Sequence, residues 1–178
     1  MLQVTSRLVL REFVPEDWRP VLAYQSEPDY LRYYRWTGRT PADVQAFVQR
    51  FIDWQHEEPR HRYQFAITLP ETGELIGNCG LRLEYPGATE GDIGYELAPA
   101  HWGNGLATEA ARAILAFGFG ELKLHRIWAG CIAENRASSR VMEKIGMQRE
   151  GHHRDKEWFK GRWWDTYIYA ILAHEWRP

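Results

Sequence analysis

The stretch that decides the fold is Ile93-Gly94-Tyr95-Glu96-Leu97-Ala98-Pro99-Ala100-His101-Trp102-Gly103-Asn104-Gly105-Leu106-Ala107-Thr108-Glu109-Ala110-Ala111. Its first part alternates, which puts Ile93, Tyr95 and Leu97 on one face of a strand and Glu96 on the other. Pro99 interrupts the strand, and a short loop with Gly103 and Gly105 opens into a run of good helix formers. The first N–H groups of a helix have no partner inside it. The helix dipole adds partial positive charge at the same end. Glycines let the backbone approach an anion without Cβ clashes. Strand, glycine loop and helix start together predict a site for a phosphate-bearing ligand.

Outward from this stretch, the chain alternates strands and helices. Leu8 to Glu12 reads as a strand, and Pro15-Glu16-Asp17-Trp18 starts a helix with Pro and acids in its first turn. A short helix is expected around Pro28 to Tyr34. A longer one starts at Thr40-Pro41-Ala42-Asp43, with Val44, Phe47, Val48, Phe51 and Ile52 at helical spacing. Tyr63 to Leu69 and Leu75 to Leu83 are strands joined at Glu71-Thr72-Gly73-Glu74. A helix over Gly105 to Gly120, a strand over His125 to Ile132 and a helix from Asn135 to Gly146 follow. Met147 to Trp158 and Trp163 to Ala173 form a closing hairpin around Lys160-Gly161. The pattern is α/β in layers: one mixed, mostly antiparallel, twisted sheet of about seven strands flanked by helices.

At 178 residues the chain reads as a single domain, 1–178. A net charge of −2 gives no basic footprint for nucleic acid. No apolar run reaches the roughly 20 residues of a membrane helix, and Met1 to Arg7 has no signal-peptide core. Cys79 and Cys131 sit in apolar runs without a metal-ligand spacing partner, so a reduced, cytoplasmic protein is expected. His152 and His153 are neighbours on a strand and point to opposite faces, so they do not suggest a shared metal, and none is expected.

Several loops cradle phosphates. A Walker A loop would end in Gly-Lys-Ser or Gly-Lys-Thr, whereas this one continues Gly105-Leu106-Ala107. A dinucleotide loop would need a third glycine where Thr108 stands, and an early βαβ unit. Four segments carry a more specific pattern. They are Ser6 to Phe13 with Pro15 to Trp18, Gly94-Tyr95-Glu96-Leu97 through Trp102 to Ala110, Asn135 to Met147, and Gly151 to Asp165. In this order they resemble the GNAT superfamily of N-acetyltransferases, most closely the RimJ/RimL branch that acetylates ribosomal-protein N-termini.

The resemblance implies acetyl-CoA as cosubstrate. Its pyrophosphate would rest on amides of Gly103, Asn104, Gly105, Ala107 and Thr108. Trp102 replaces the Gln or Arg usual in the superfamily, so the backbone must do most of the binding. The pantetheine arm would lie beside Leu97 and Ala98, where the two central parallel strands splay apart near Trp128. Asn135 would cap its helix and contact the cosubstrate.

The tyrosine that often serves as acid in this superfamily falls on Met142, which cannot donate a proton. The branch pattern puts Ser138 beside the CoA sulfur, although a helix-capping role would explain Ser138 equally well. It puts a base at Glu157, with Glu96 as rival; a solvated hairpin charge and a structural hydrogen bond are the plain alternatives. Tyr33, Trp36 and Trp158 are expected at the acceptor site. Trp158, Phe159, Trp163 and Trp164 could equally pack the hairpin or form a homodimer surface.

The branch resemblance implies a protein N-terminus as acceptor, and acid–base chemistry supports that choice. An α-amine of pKa near 8 is about one-tenth neutral at pH 7, and a lysine near 10.4 well under one-thousandth. A site without a strong base suits a protein or peptide N-terminus. Small amines such as polyamines, aminoglycosides or amino-acid derivatives are the alternative acceptors. A CoA-binding sensor without turnover is the alternative class, and a nicotinamide site is the residual one.

Overall fold

The computed structural model describes residues 3–177, with side chains from Thr5 onward. The strands are β1 (Gln3–Val4), β2 (Val9–Arg11), β3 (Arg62–Thr68), β4 (Leu75–Leu83), β5 (Glu90–Leu97), β6 (Arg126–Ile132), β7 (Gln148–Phe159) and β8 (Arg162–Leu172). The helices are α1 (Trp18–Gln25), α2 (Pro28–Leu31), α3 (Pro41–Gln55), α4 (Leu106–Gly120) and α5 (Arg136–Lys144). One mixed sheet runs in the order β1-β2-β3-β4-β5-β6-β8-β7. The seven strands expected from the sequence are present, and the two-residue β1 is added at the edge. Among the described residues, no helix is long and apolar enough to cross a membrane.

Two apolar layers sandwich the sheet. On one face α4 and α5 pack Leu106, Ala110, Ile114, Met142 and Ile145 against Phe65, Ile67, Leu81, Ile93 and Ile127. On the other, α1 to α3 pack Val21, Tyr24, Val44, Val48 and Phe51 against Ala66 and Leu75. α3 shows why such a segment is helical. Thr40 Oγ1 accepts from the Asp43 amide at 3.2 Å and Asp43 returns a bond to the Thr40 amide at 2.9 Å. Pro41 supplies the first-turn φ, and Val44, Val48 and Phe51 repeat at i, i+4 and i+7 on the buried side.

The centre of the sheet is its only parallel seam among the described strands, and the seam is short. β5 and β6 pair at Glu90↔Arg126, Gly91↔Ile127 and Asp92↔Trp128, and no further. β5 stays with β4 as far as Gly77↔Leu97, and β6 stays with β8 as far as Ile132↔Thr166. The two halves of the sheet therefore part beyond Asp92 and Trp128. The Ala98 amide donates to Ile76 on β4 at 2.7 Å. By alternation, the N–H and C=O groups of Ile93, Tyr95 and Leu97 face the gap.

The start of α4 is braced from the β1–β2 turn. The Glu109 carboxylate accepts from Thr5 Oγ1 at 2.6 Å, Ser6 Oγ at 3.0 Å, the Arg7 amide at 3.0 Å and Arg7 Nε at 2.7 Å. Arg7 Nη1 donates in turn to the Asn104 carbonyl at 2.9 Å, which fixes the glycine loop. Partial burial opposes ionisation of Glu109, but the four donors together hold its carboxyl below the usual range. The brace therefore stabilises the fold above about pH 4.3, the ordinary glutamate value, and is lost as the pH falls through the lowered folded value. Replacing Glu109 by Gln should lower the melting temperature by a few degrees at pH 7. That difference from wild type should shrink below about pH 4.3 and close as the pH falls through the lowered folded value, in a calorimetric pH series. A gap that persists in acid would contradict the brace.

Candidate functional site

The gap has three walls of different character, and the first is the loop before α4. Gly103 and Gly105 have φ of 79° and 77°, a region that favours glycine. A Cβ on Gly103 would meet no atom within 4 Å, so the glycines serve the backbone turn rather than close packing. Gly105 is the N-cap of α4 and offers no side-chain cap to the first-turn amides. Gly103, Asn104 and Gly105 are exposed, while Ala107 and Thr108 are half-buried on the first turn. The indole N–H of Trp102 donates to the Leu97 carbonyl at 2.8 Å, which ties the loop to the end of β5. Trp102 thus anchors the loop while the residue remains 46 % exposed.

The second wall joins β5 to α5. Tyr95 reaches across the gap, and its hydroxyl lies 3.0 Å from the Ser138 carbonyl and 3.1 Å from Ser138 Oγ. Burial pushes the Tyr95 hydroxyl well above the ordinary tyrosine value, so it stays protonated at neutral pH. The single Tyr95 proton satisfies the carbonyl, which leaves the Ser138 hydroxyl to donate to the tyrosine oxygen. Asn135 Oδ1 accepts from the Ser138 amide at 3.2 Å and so caps α5. Tyr95 reads in the sequence as an inward strand residue. The signal for more was available, because a buried tyrosine hydroxyl needs a polar partner. Cys131, on the same face of β6, is half-buried with its thiol pushed up by burial, and Cys79 is buried with its thiol pushed up to about 12.

The third wall lies on the opposite face, under α1 and α2. Glu96 Oε1 accepts from Tyr24 at 2.7 Å, Gln25 at 2.9 Å and Asn78 at 2.6 Å. Its Oε2 accepts from Tyr30 at 2.6 Å and Tyr34 at 3.1 Å. A carboxylate offers about four lone-pair sites, so these donors saturate it. Burial, and then the charge of Glu96, pushes the Tyr24, Tyr30 and Tyr34 hydroxyls far up, which keeps all three as donors. Tyr30 stacks on Tyr34 at 4.5 Å and Tyr34 on Trp36 at 4.7 Å. Trp36 therefore extends the tyrosine stack, with its indole N–H lacking a partner among the described residues.

The mouth on this side is closed by contacts between distant segments. Tyr33 donates its hydroxyl to the Glu134 carbonyl at 3.1 Å, and Lys160 donates to the Leu31 carbonyl at 2.7 Å. Glu157 forms an ion pair with Arg35, whose side chain is 67 % exposed. Glu157 and Trp164 oppose each other on the β7–β8 ladder and so share a face, and Tyr33 meets Trp164 edge-on at 6.1 Å. Trp158, adjacent to Glu157, points to the other face and is 55 % exposed beside Trp163. Trp158 is thus not brought together with Tyr33 and Trp36, and Trp164, stacked on Phe159 at 4.8 Å, takes that position. Among the described residues, no cluster of three His, Cys, Asp or Glu could hold a metal.

These walls fit an acetyl-CoA molecule: free helix amides and positive-φ glycines for a pyrophosphate, then strand edges without ladder partners for the amides of a pantetheine arm. The comparisons agree with the geometry. The family model for the acetyltransferase (GNAT) domain matches residues 7–148. The uncharacterized N-acetyltransferase YnaD of Bacillus subtilis is 39% identical over 97% of this chain and 97% of its own length. The putative ribosomal N-acetyltransferase YdaF of the same organism is 34% identical over 98% of this chain and 96% of its own. The crystal structure of a GNAT-family acetyltransferase from Bacillus anthracis superposes with a TM-score of 0.85 at 37% identity, covering 98% of this chain and all of the other. With its parted central strands, braced glycine loop and family match over most of its length, this chain belongs to the GNAT family of N-acetyltransferases.

Proposed function

We propose that this chain transfers the acetyl group of acetyl-CoA to the α-amine of a protein or peptide N-terminus, by direct attack in a ternary complex. The observation that carries this reading is that both candidate bases are engaged. Glu96 is saturated by five donors, and Glu157 is paired with Arg35. A site arranged so serves best an acceptor that is already partly neutral near pH 7, as an α-amine is. The likeness to a putative ribosomal N-acetyltransferase points the same way.

Acetyl-CoA supplies an acetyl thioester when bound. The α4 amides and the Arg7-braced loop would hold its phosphates, and the open backbone groups of Ile93 and Tyr95 with the Leu97 amide would align its arm. The Ser138 hydroxyl lies at the gap with its proton parked on the Tyr95 oxygen, and it turns that proton to the leaving CoA sulfur as the C–S bond breaks and the amine takes the acetyl group. The Glu96 carboxylate with its phenols gives the acceptor side a fixed negative potential that draws an ammonium group in. Water carries the amine proton away. Arg35 occupies Glu157 until an acceptor arrives, and this exposed pair exchanges cheaply, at about 0–1 kcal/mol.

A second reading is favoured by a groove of about 460 Å³ lined by Glu84, Glu90, Asp92, Tyr85 and Trp128. Its acids and rings would suit a small polyamine. Arg82 and Arg126 already pair with Asp92 and Glu90, which lowers its negative potential.

Three measurements test these assignments. Thiol release should be fast with peptides beginning in Ala or Ser, absent with the same peptides Nα-blocked, and slow with spermidine. The reverse order would establish the polyamine reading. Ser138→Ala and Tyr95→Phe should each lower kcat by about a hundredfold, the low end for a positioned acid, with acetyl-CoA KM within a few-fold. Unchanged kcat in both would remove the hydroxyl pair from the chemistry. Arg35→Ala should lower acceptor KM by up to about fivefold and Glu157→Gln should raise it. Shifts of the same sign would refute exchange at Glu157.

A further inference from the structure

Glu96 is partly buried, and among the described residues its hydrogen-bond partners are neutral, so positive potential must reach it through other groups. On the Glu96 face of the sheet, a row of polar side chains leads to a cation. Asn78 Nδ2 donates to Glu96 at 2.6 Å. Gln64 Nε2 donates to Asn78 Oδ1 at 2.6 Å. Arg82 Nη1 donates to Gln64 Oε1 at 3.2 Å. Arg82 Nε donates to Asp92 Oδ2 at 3.0 Å, and a second guanidinium nitrogen pairs with the same oxygen. Gln64 and Asn78 are only 2 % and 3 % exposed.

The sheet register explains how these residues meet. Gln64, Gly80 and Gly94 lie in one row across β3, β4 and β5, next to the row of Asn78 and Glu96 and the row of Arg82 and Asp92. The two glycines leave a trough, and the side chains of Gln64 and Arg82 fill it. A Cβ on Gly80 would lie 2.3 Å from Gln64 Oε1, and one on Gly94 would lie 2.7 Å from Arg82 Nη2.

The direction of the chain is fixed from both ends. A guanidinium can only donate, so Gln64 must turn its oxygen to Arg82 and its nitrogen to Asn78. An ionised carboxylate can only accept, so Asn78 must turn its nitrogen to Glu96. The two requirements agree, and every amide dipole points its positive end at Glu96. Such chains strengthen each other by polarisation.

We propose that Arg82 is a positioning residue for Glu96, acting through the Gln64 and Asn78 amides, with Asp92 holding the guanidinium. Asp92 pairs with Trp128 in the last ladder step before the sheet parts. The relay thus links the vertex of the gap to the carboxylate on its acceptor side. The proposal rests on the reading of Glu96 as the acceptor-side anion.

A double-mutant cycle on the full-length protein tests it, with melting temperatures showing that each variant is folded at the assay temperature. Glu96→Gln should lower kcat/KM for the acceptor. Arg82→Met should lower acceptor kcat/KM about tenfold in the Glu96 background, with acetyl-CoA KM within twofold, and by less than about twofold in the Glu96→Gln background. Arg82→Lys, which still donates to Gln64, should recover most of the loss. Equal losses in both backgrounds would make Arg82 merely structural and overturn the relay. Normal acceptor kcat/KM in Arg82→Met, with Glu96→Gln impaired, would overturn the relay alone. Normal acceptor kcat/KM in Glu96→Gln would overturn the reading of Glu96 and the relay with it.

Discussion

The parting of β5 and β6 beyond Asp92 and Trp128 governs the rest of the molecule. A sheet interior normally pairs its backbone groups, and leaving them without partners is costly. Here three strand residues keep their backbone toward an open seam, so the structure must hold both lips in place by other means. Tyr95 spans from one lip to Ser138, Trp102 fastens the Leu97 carbonyl, and Asn135 caps the helix that supports the far side. At one mouth stand the amides of α4, braced through Arg7 and Glu109. At the other stand the α2–α3 loop and the β7–β8 hairpin. The donor and acceptor sites proposed above thereby fall on opposite faces of one sheet, meeting only at the seam.

The two faces differ in charge as well as in shape. On the α5 side the groups nearest the gap are neutral hydroxyls, and burial keeps Tyr95 protonated. On the α1 side a single carboxylate is wrapped by three phenols and two amides. Burial and the charge of Glu96 keep those phenols protonated too, so the cluster behaves as one anion with a fixed donor shell. A pair of opposite charges in direct contact would have been stronger locally but would have cancelled the field. Neutral donors hold the carboxylate without cancelling its charge, which is what the proposed attraction of an ammonium requires.

Local features of this site were legible in the sequence because they are contiguous. The Thr40-Pro41-Ala42-Asp43 capping box, the Gly103 to Gly105 loop and the Asn135 cap each depend on residues within one turn. Contacts made by register were not legible. Tyr24 and Tyr30 lie 72 and 66 residues from Glu96, and Arg35 lies 122 from Glu157. Nothing in local spacing brings them together. The family resemblance led to Ser138 and Glu157 but not to the partners that decide what those groups can do. The orientation of Trp158 was available in principle, since a strand neighbour of Glu157 must face away from it. The Gly80–Gly94 trough becomes visible only once β4 and β5 are in register.

The trough also suggests why the cation that serves Glu96 stands two side chains away. A guanidinium in contact with Glu96 would repel a protonated amine at the very place it must lose its proton, and at short range that repulsion is large. Set behind two amides, Arg82 orients and polarises the donors, while Asp92 absorbs most of its charge on the vertex side. The ammonium then meets an anion whose shape is fixed and whose field is not cancelled. Two glycines are needed for this, because either Cβ would fill the space through which the guanidinium and Gln64 reach one another. The small residues in the middle of the sheet are thus part of the electrostatics of the site, although neither carries a charge.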